Sequence, residues 1–169
     1  SMALDIKSIY DDAIIFGIDA NEKHLEEALN LGIIDQKATE NDLINADLVI
    51  VAVPVDVALV ILPEILNKIG EQSLVFDVGS TKNPICEAIS THPKRRNFMA
   101  CHPIAGTEFS GPKAAIKGLY EGKTNIICEV EKTTFKLQEI AMDLFKKLGM
   151  RIRYMDPKSH DKHIAYVSH

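Results

Sequence analysis

Leu48-Val49-Ile50-Val51-Ala52-Val53-Pro54 and Leu74-Val75-Phe76-Asp77-Val78-Gly79 are the stretches whose reading decides the fold. Each is a continuous apolar run rich in β-branched residues, and each ends in a turn-forming residue. Strands that face water on one side alternate apolar and polar residues, whereas strands covered on both faces do not. Two more runs of this kind, Ala13 to Asp19 and Phe98 to Pro103, flank them. Between the runs lie helical spacings. Leu25, Ala28 and Leu29 mark one helix, stopped by Gly32, and Val57, Ile61 and Ile65 mark another, which Pro63 is expected to split or kink. Strand–helix alternation of this kind predicts an α/β fold with a doubly wound, mostly parallel sheet and helices on both faces.

The rest of the chain repeats the pattern. A strand is expected at Asn125 to Val130 and a helix from about Thr133 to Leu148, with Leu137, Ile140, Ala141, Leu144 and Leu148 on one face and Gly149 as its stop. A strand at Arg151 to Met155 follows, and Asp156-Pro157 opens a last helix with a side-chain cap and a proline in its first turn. Ser1 to Lys7 reads as a helix. With no internal repeat, linker or low-complexity segment, residues 1–169 read as one domain.

Composition narrows the function classes. Hydrophobic residues at 46% and charged residues at 25% suit a packed globular chain. A formal net charge of -5 gives nucleic acid no electrostatic footing, and the one basic cluster, Lys94-Arg95-Arg96, reads as a solvated loop. Cys86, Cys101 and Cys128 are widely spaced, odd in number and set among apolar neighbours, so they read as reduced, buried thiols rather than a disulfide framework or zinc knuckle. No apolar run approaches the roughly 20 residues that a membrane helix needs. Asp5 and Lys7 break the apolar stretch at the N-terminus, against a signal peptide. The expectation is a soluble, cytoplasmic protein.

Four places carry candidate chemistry. Asp19 closes the first apolar run; an acid there either hydrogen-bonds the adenosine ribose of a dinucleotide or simply caps a helix. His102 ends its strand in His102-Pro103-Ile104-Ala105-Gly106-Thr107-Glu108. Ligands of open α/β sheets bind beyond the carboxyl ends of strands, and a histidine titrates near neutral pH, so a proton-transfer role competes with a structural one. In Asp77-Val78-Gly79-Ser80-Thr81-Lys82, Gly79 permits close backbone approach, and Ser80 offers either a helix cap or a hydroxyl for a ligand. His160, Asp161, His163 and His169 could suggest a metal, but their spacing reads better as a solvated helix face.

Taken together, these segments resemble the prephenate dehydrogenase family. His102 to Glu108 with Ser110-Gly111, Asp77 to Lys82, Val51 to Pro54, and His160-Asp161 through Ala165 to His169 match the family's motifs in order along the whole chain. The resemblance implies a Rossmann-type domain that binds NAD. It implies that His102 takes the proton of the prephenate ring hydroxyl as hydride leaves and CO2 is lost, with Ser80 helping to orient His102 or the substrate hydroxyl. Thr107, Glu108, Ser168 and His169 would line the substrate site, Asp19 would favour NAD over NADP, and Val53, Pro54 and Gly79 would border the cofactor. No metal is implied, and the family's full-length enzymes are homodimers.

The sequence departs from the family pattern at both ends. The Gly-x-Gly-x-x-Gly turn that binds pyrophosphate should precede Asp19 by about 20 residues and is absent, as is a helical domain after His169. The expectation is therefore a sheet whose first strand is missing, in a chain with little turnover by itself. Arogenate dehydrogenase and a non-catalytic remnant of the same domain are the rival readings.

Overall fold

A computed structural model describes residues 1–105 and 111–167. Helix α1 (Met2–Ile9) leads to strand β1 (Phe16–Gly17), helix α2 (Glu22–Asn30) and strand β2 (Gln36–Lys37). Then come β3 (Leu48–Val51), α3 (Val55–Lys68), β4 (Leu74–Asp77), α4 (Asn83–Ala88), β5 (Phe98–Pro103), β6 (Thr124–Cys128), α5 (Phe135–Lys147), β7 (Arg151–Met155) and α6 (Pro157–Val167). Strands β3 to β7 form one sheet in that order. β3, β4 and β5 run parallel, β6 is antiparallel to β5, and β7 is parallel to β6.

The absence of alternation in β4 and β5 has the expected cause: both faces are covered. Val75, Phe98 and Ala100 pack with Ala58, Leu62 and Leu66 of α3 and with Ile85 and Cys86 of α4. Leu74, Phe76, Met99 and Cys101 point the other way, onto Leu137, Ala141, Leu144 and Phe145 of α5 and onto Met2 and Ile6 of α1. The three thiols are buried and unpaired. The α5 stripe shifts slightly from expectation, with Phe145 buried and Ile140 exposed. Pro63 does not split α3, which runs unbroken on both sides of it. The helix loses one backbone hydrogen bond there, while Leu62 and Leu66 remain in the core and hold it. Among the described residues, no helix is long and apolar enough to cross a membrane.

Three expectations need correction. The strand expected at Ala13 to Asp19 shrinks to two residues that pair only with β2, in a separate two-stranded sheet. Ile14, Phe16 and Ile18 are 61, 52 and 51% exposed, because among the described residues no strand lies along the other edge of β1 to bring a covered sheet around them. The strand expected to reach Val130 stops at Cys128, where Glu129 turns into the left-handed region at φ 53. The basic cluster is not a solvated loop. Arg95 is buried, donating from Nη1 to the Phe98 carbonyl (2.8 Å) and from Nη2 to Glu129 Oε2 (3.0 Å). Lys94 Nζ donates to the Ile69 carbonyl (2.6 Å), and only Arg96 stays exposed. The run closes the start of β5 by satisfying carbonyls and pairing with the Glu129 and Glu71 carboxylates.

A buried ion pair holds the opposite end of β4. Asp77 is 1% exposed and Lys82 0% exposed, and Lys82 Nζ donates to Asp77 Oδ2. Asp77 also accepts the Cys101 N–H of β5 (3.0 Å) and the Gly79 N–H (3.1 Å). Burial pushes the Asp77 carboxyl up from its ordinary value, against the pull of Lys82 and these two donors. Replacing Lys82 by Met would leave that carboxylate buried without its cation, a loss of about 3–5 kcal/mol. Since whole-domain stability is of order 5–15 kcal/mol, urea unfolding of Lys82→Met should show a much earlier midpoint.

Candidate functional site

Pleating aims His102. Along β5, Phe98 and Ala100 face the α3–α4 side, and side chains alternate faces, so His102 emerges on that same side at the carboxyl end of the strand. Opposite it in register is Ile126 of β6. Helix α6 brings His160 to meet it: His160 Nε2 lies 2.8 Å from His102 Nδ1, with the rings 5.0 Å apart between centroids and 78° between planes. His160 is fully buried, and its Nδ1 lies 2.7 Å from Asp161 Oδ1.

Asp161 in turn ties the histidines to the rest of the fold. Its Oδ1 accepts the Lys82 N–H (2.7 Å) and its Oδ2 the Asn83 N–H (2.9 Å), at the start of α4. Such N–H groups have no partner within their own helix, and here a carboxylate from a distant helix supplies one. Burial opposes ionisation of Asp161, yet the bonds from Lys82, His160 and Asn83 hold its carboxyl below the usual value. A continuous hydrogen-bonded series therefore runs from His102 through His160 and Asp161 to the start of α4, and Lys82 continues it to Asp77.

The other sequence candidates fall in different places. Asp19 is exposed just beyond β1, with Oδ1 accepting the Asn21 N–H (2.8 Å) and Oδ2 3.7 Å from His24. It does not cap α2; the Asn21 side chain does, accepting from the Lys23 and His24 N–H groups. Val53 packs partly against the core, whereas Pro54 is exposed at the start of α3. Gly79 is closely packed, since a Cβ there would stand 3.1 Å from Asp77 Oδ2 and 3.3 Å from Val55. Ser80 is exposed, and the described partner of His102 Nδ1 is His160. Thr107, Glu108, Ser168 and His169 lie outside the described residues.

The reading of His160 and Asp161 as a solvated helix face is corrected. His163 is exposed, but His160 is in the interior beside the buried Pro157. The spacing Pro157, His160, Ile164 carried that signal: it is one face of a helix, and Ile164 is only partly exposed. Among the described residues, no group of three or more His, Cys, Asp or Glu side chains is placed to hold a metal ion.

Comparison with known proteins agrees with this architecture. A family model described as the prephenate dehydrogenase nucleotide-binding domain matches residues 2–154. The prephenate dehydrogenase of Bacillus subtilis is 35% identical over 173 residues, covering 100% of this chain and 47% of its own length. A crystal structure of prephenate dehydrogenase from Aquifex aeolicus superposes with a TM-score of 0.89 at 29% identity, covering 99% of this chain and 61% of that one. A second A. aeolicus structure, in complex with hydroxyphenyl propionate and NAD+, gives 0.81 at 28% identity, with coverage of 95% and 57%. The chain thus spans about half the length of the curated B. subtilis relative.

Electrostatics set the state of His102. Burial, then His160 and Lys82, lower its pKa to about 4, with Asp161 opposing them. The near-neutral titration expected from its sequence position is therefore corrected, and at pH 7 the ring is uncharged. A depressed histidine contributes stability that is complete above its unfolded value near 6.5 and is lost as pH falls toward the folded value. An NMR titration should place the His102 midpoint near 4, and stability should fall between pH 6.5 and 4 more steeply in the native chain than in His102→Asn.

Proposed function

The chain belongs to the prephenate dehydrogenase nucleotide-binding domain family, and from that premise we propose that it serves an NAD-dependent dehydrogenase that converts prephenate to 4-hydroxyphenylpyruvate. One observation carries the reading: a neutral imidazole stands at the carboxyl end of a central strand, where open α/β sheets hold ligands. The 35% identity to a prephenate dehydrogenase supports the substrate, and the A. aeolicus complex with NAD+ supports the cofactor. We take residues 1–169 as one nucleotide-binding domain, because β6, β7 and α6 continue the sheet and supply His160.

The residues present fit the cofactor. Asp19 offers an exposed carboxylate just past β1 to ribose hydroxyls, and Ala52 and Pro54 are exposed just past β3. NAD, when bound, supplies the hydride acceptor. His102 accepts the proton of the substrate's ring hydroxyl: that O–H bond breaks and a ring N–H forms. The C–H bond at the hydroxyl-bearing carbon gives up its electron pair as hydride, the carboxylate departs as CO2, its bonding electrons complete the aromatic ring, and the phenolate oxygen so formed takes the proton back from His102. Burial keeps His102 uncharged and ready to accept. Ser80 bears on the substrate hydroxyl, while Thr107, Glu108, Ser168 and His169 line the pocket and Val53, Pro54 and Gly79 border the cofactor. A cytoplasmic setting fits the unpaired, buried thiols.

Two measurements on the full-length product of the gene test this reading. His102→Asn should lower kcat roughly 10²–10⁴-fold while NAD affinity stays near its original value; a variant that melts early but keeps its turnover would return His102 to a structural role. Asp19→Ser should narrow the preference for NAD over NADP on the order of tenfold, because an exposed carboxylate repels a 2′-phosphate only through solvent-screened Coulomb energy. An unchanged ratio of the two kcat/KM values would remove Asp19 from cofactor selection.

A further inference from the structure

We infer that His160 is the positioning residue for His102, and that with Asp161 it holds His102 in the tautomer that carries its proton on Nδ1 and keeps Nε2 as the acceptor. This rests on the proposed role of His102 as the proton acceptor, and it assigns a cause for that role to a residue pair in α6.

The assignment follows from donors and acceptors. The Asp161 carboxylate only accepts, and it already receives the Lys82 and Asn83 N–H groups. At 2.7 Å from Asp161 Oδ1, His160 Nδ1 must therefore bear the hydrogen. With His160 taken as the neutral ring, its one N–H faces Asp161 and its Nε2 holds a lone pair. The contact between His160 Nε2 and His102 Nδ1, at 2.8 Å, is then a hydrogen bond donated by His102. The neutral His102 ring has spent its one N–H on that bond, which leaves Nε2 as its basic nitrogen. The reverse tautomer would set two lone pairs against each other at 2.8 Å in a buried contact.

His160 suits this task because little else can disturb it. It is fully buried, and its ring is held at both nitrogens. Asp161 is held by two backbone groups of α4, so the orientation of His102 is referred to the framework rather than to a mobile side chain. The arrangement has the logic of an acid–histidine pair that orients a general base, with a second histidine interposed between acid and base. When His102 takes the substrate proton on Nε2, its Nδ1–H still points at His160 Nε2, so the new cation forms facing an acceptor backed by a carboxylate.

The test is nitrogen-resolved NMR of the histidine rings in the 15N-labelled chain at pH 7.5, joined to kinetics on the full-length product. The native chain should show His102 protonated at Nδ1 with Nε2 unprotonated. His160→Phe, which removes the acceptor, should shift His102 toward the Nε2–H form, and His160→Gln, which restores an acceptor, should return it. In the kinetic arm, His160→Phe should lower kcat roughly 10–10³-fold with NAD affinity unchanged, and His160→Gln should recover much of the loss. Finding Nε2–H in the native chain, or an unaltered tautomer in His160→Phe, overturns the inference, as does full turnover in that variant. Should His160→Phe fail to fold, the native spectrum and His160→Gln still decide the matter. Absence of prephenate turnover in the native enzyme would instead refute the proposed substrate, and the tautomer measurement does not depend on it.

Discussion

The buried pair of Asp77 and Lys82 is the constraint on which this structure most depends. A carboxylate and an ammonium with almost no exposure are tolerated only where each is fully hydrogen-bonded. Asp77 meets that condition by gathering Lys82 Nζ, the Cys101 N–H and the Gly79 N–H at one point. Three elements are thereby pinned together: the end of β4, the middle of β5, and the turn into α4. A Cβ at Gly79 would crowd that convergence, so that Asp77 or Val55 would have to shift by a few tenths of an ångström. The pair adds little net stability over an apolar replacement of both partners, so its value lies in the geometry it imposes.

That geometry is transmitted to His102 by short links. Lys82 also presents its backbone N–H to Asp161, and Asp161 orients His160, which holds His102. The strand end and the helix start are thus fixed to each other on both sides of the imidazole. Desolvation goes with the same packing: His102 is partly buried against the fully buried His160, and burial is the first cause of its lowered pKa. An imidazole made neutral by burial and oriented by a framework contact would need no reorganisation to accept a proton, as the proposed role requires.

Much of the fold was legible in the residues. The unbroken apolar runs at Leu48 to Pro54, Leu74 to Gly79 and Phe98 to Pro103 become β3, β4 and β5, and β4 and β5 are covered on both faces as their lack of alternation requires. The spacing of Leu137, Ala141 and Leu144 becomes the buried stripe of α5. The misses have local physical causes. Ala13 to Asp19 has the composition of a buried strand, but composition does not supply neighbours, and a strand paired on one edge cannot bury its flanks. The Lys94-Arg95-Arg96 run looked solvated because charge usually is, yet Arg95 found Glu129 and a carbonyl in the interior.

What the sequence determined by itself was the layering of the fold and the position of His102 at a strand end, since period and composition along the chain dictate which residues must be covered. It also carried the motifs by which the family is identified. Only the tertiary structure decided the state of that histidine. His160 and Asp161 stand 58 and 59 positions further along than His102, and no local pattern states that a residue on the last helix will meet one on a central strand. Tautomer, charge and pKa are properties of such meetings. They depend on which nitrogen faces which acceptor at 2.8 Å, and on how much water the packing leaves, neither of which is written in the order of the residues.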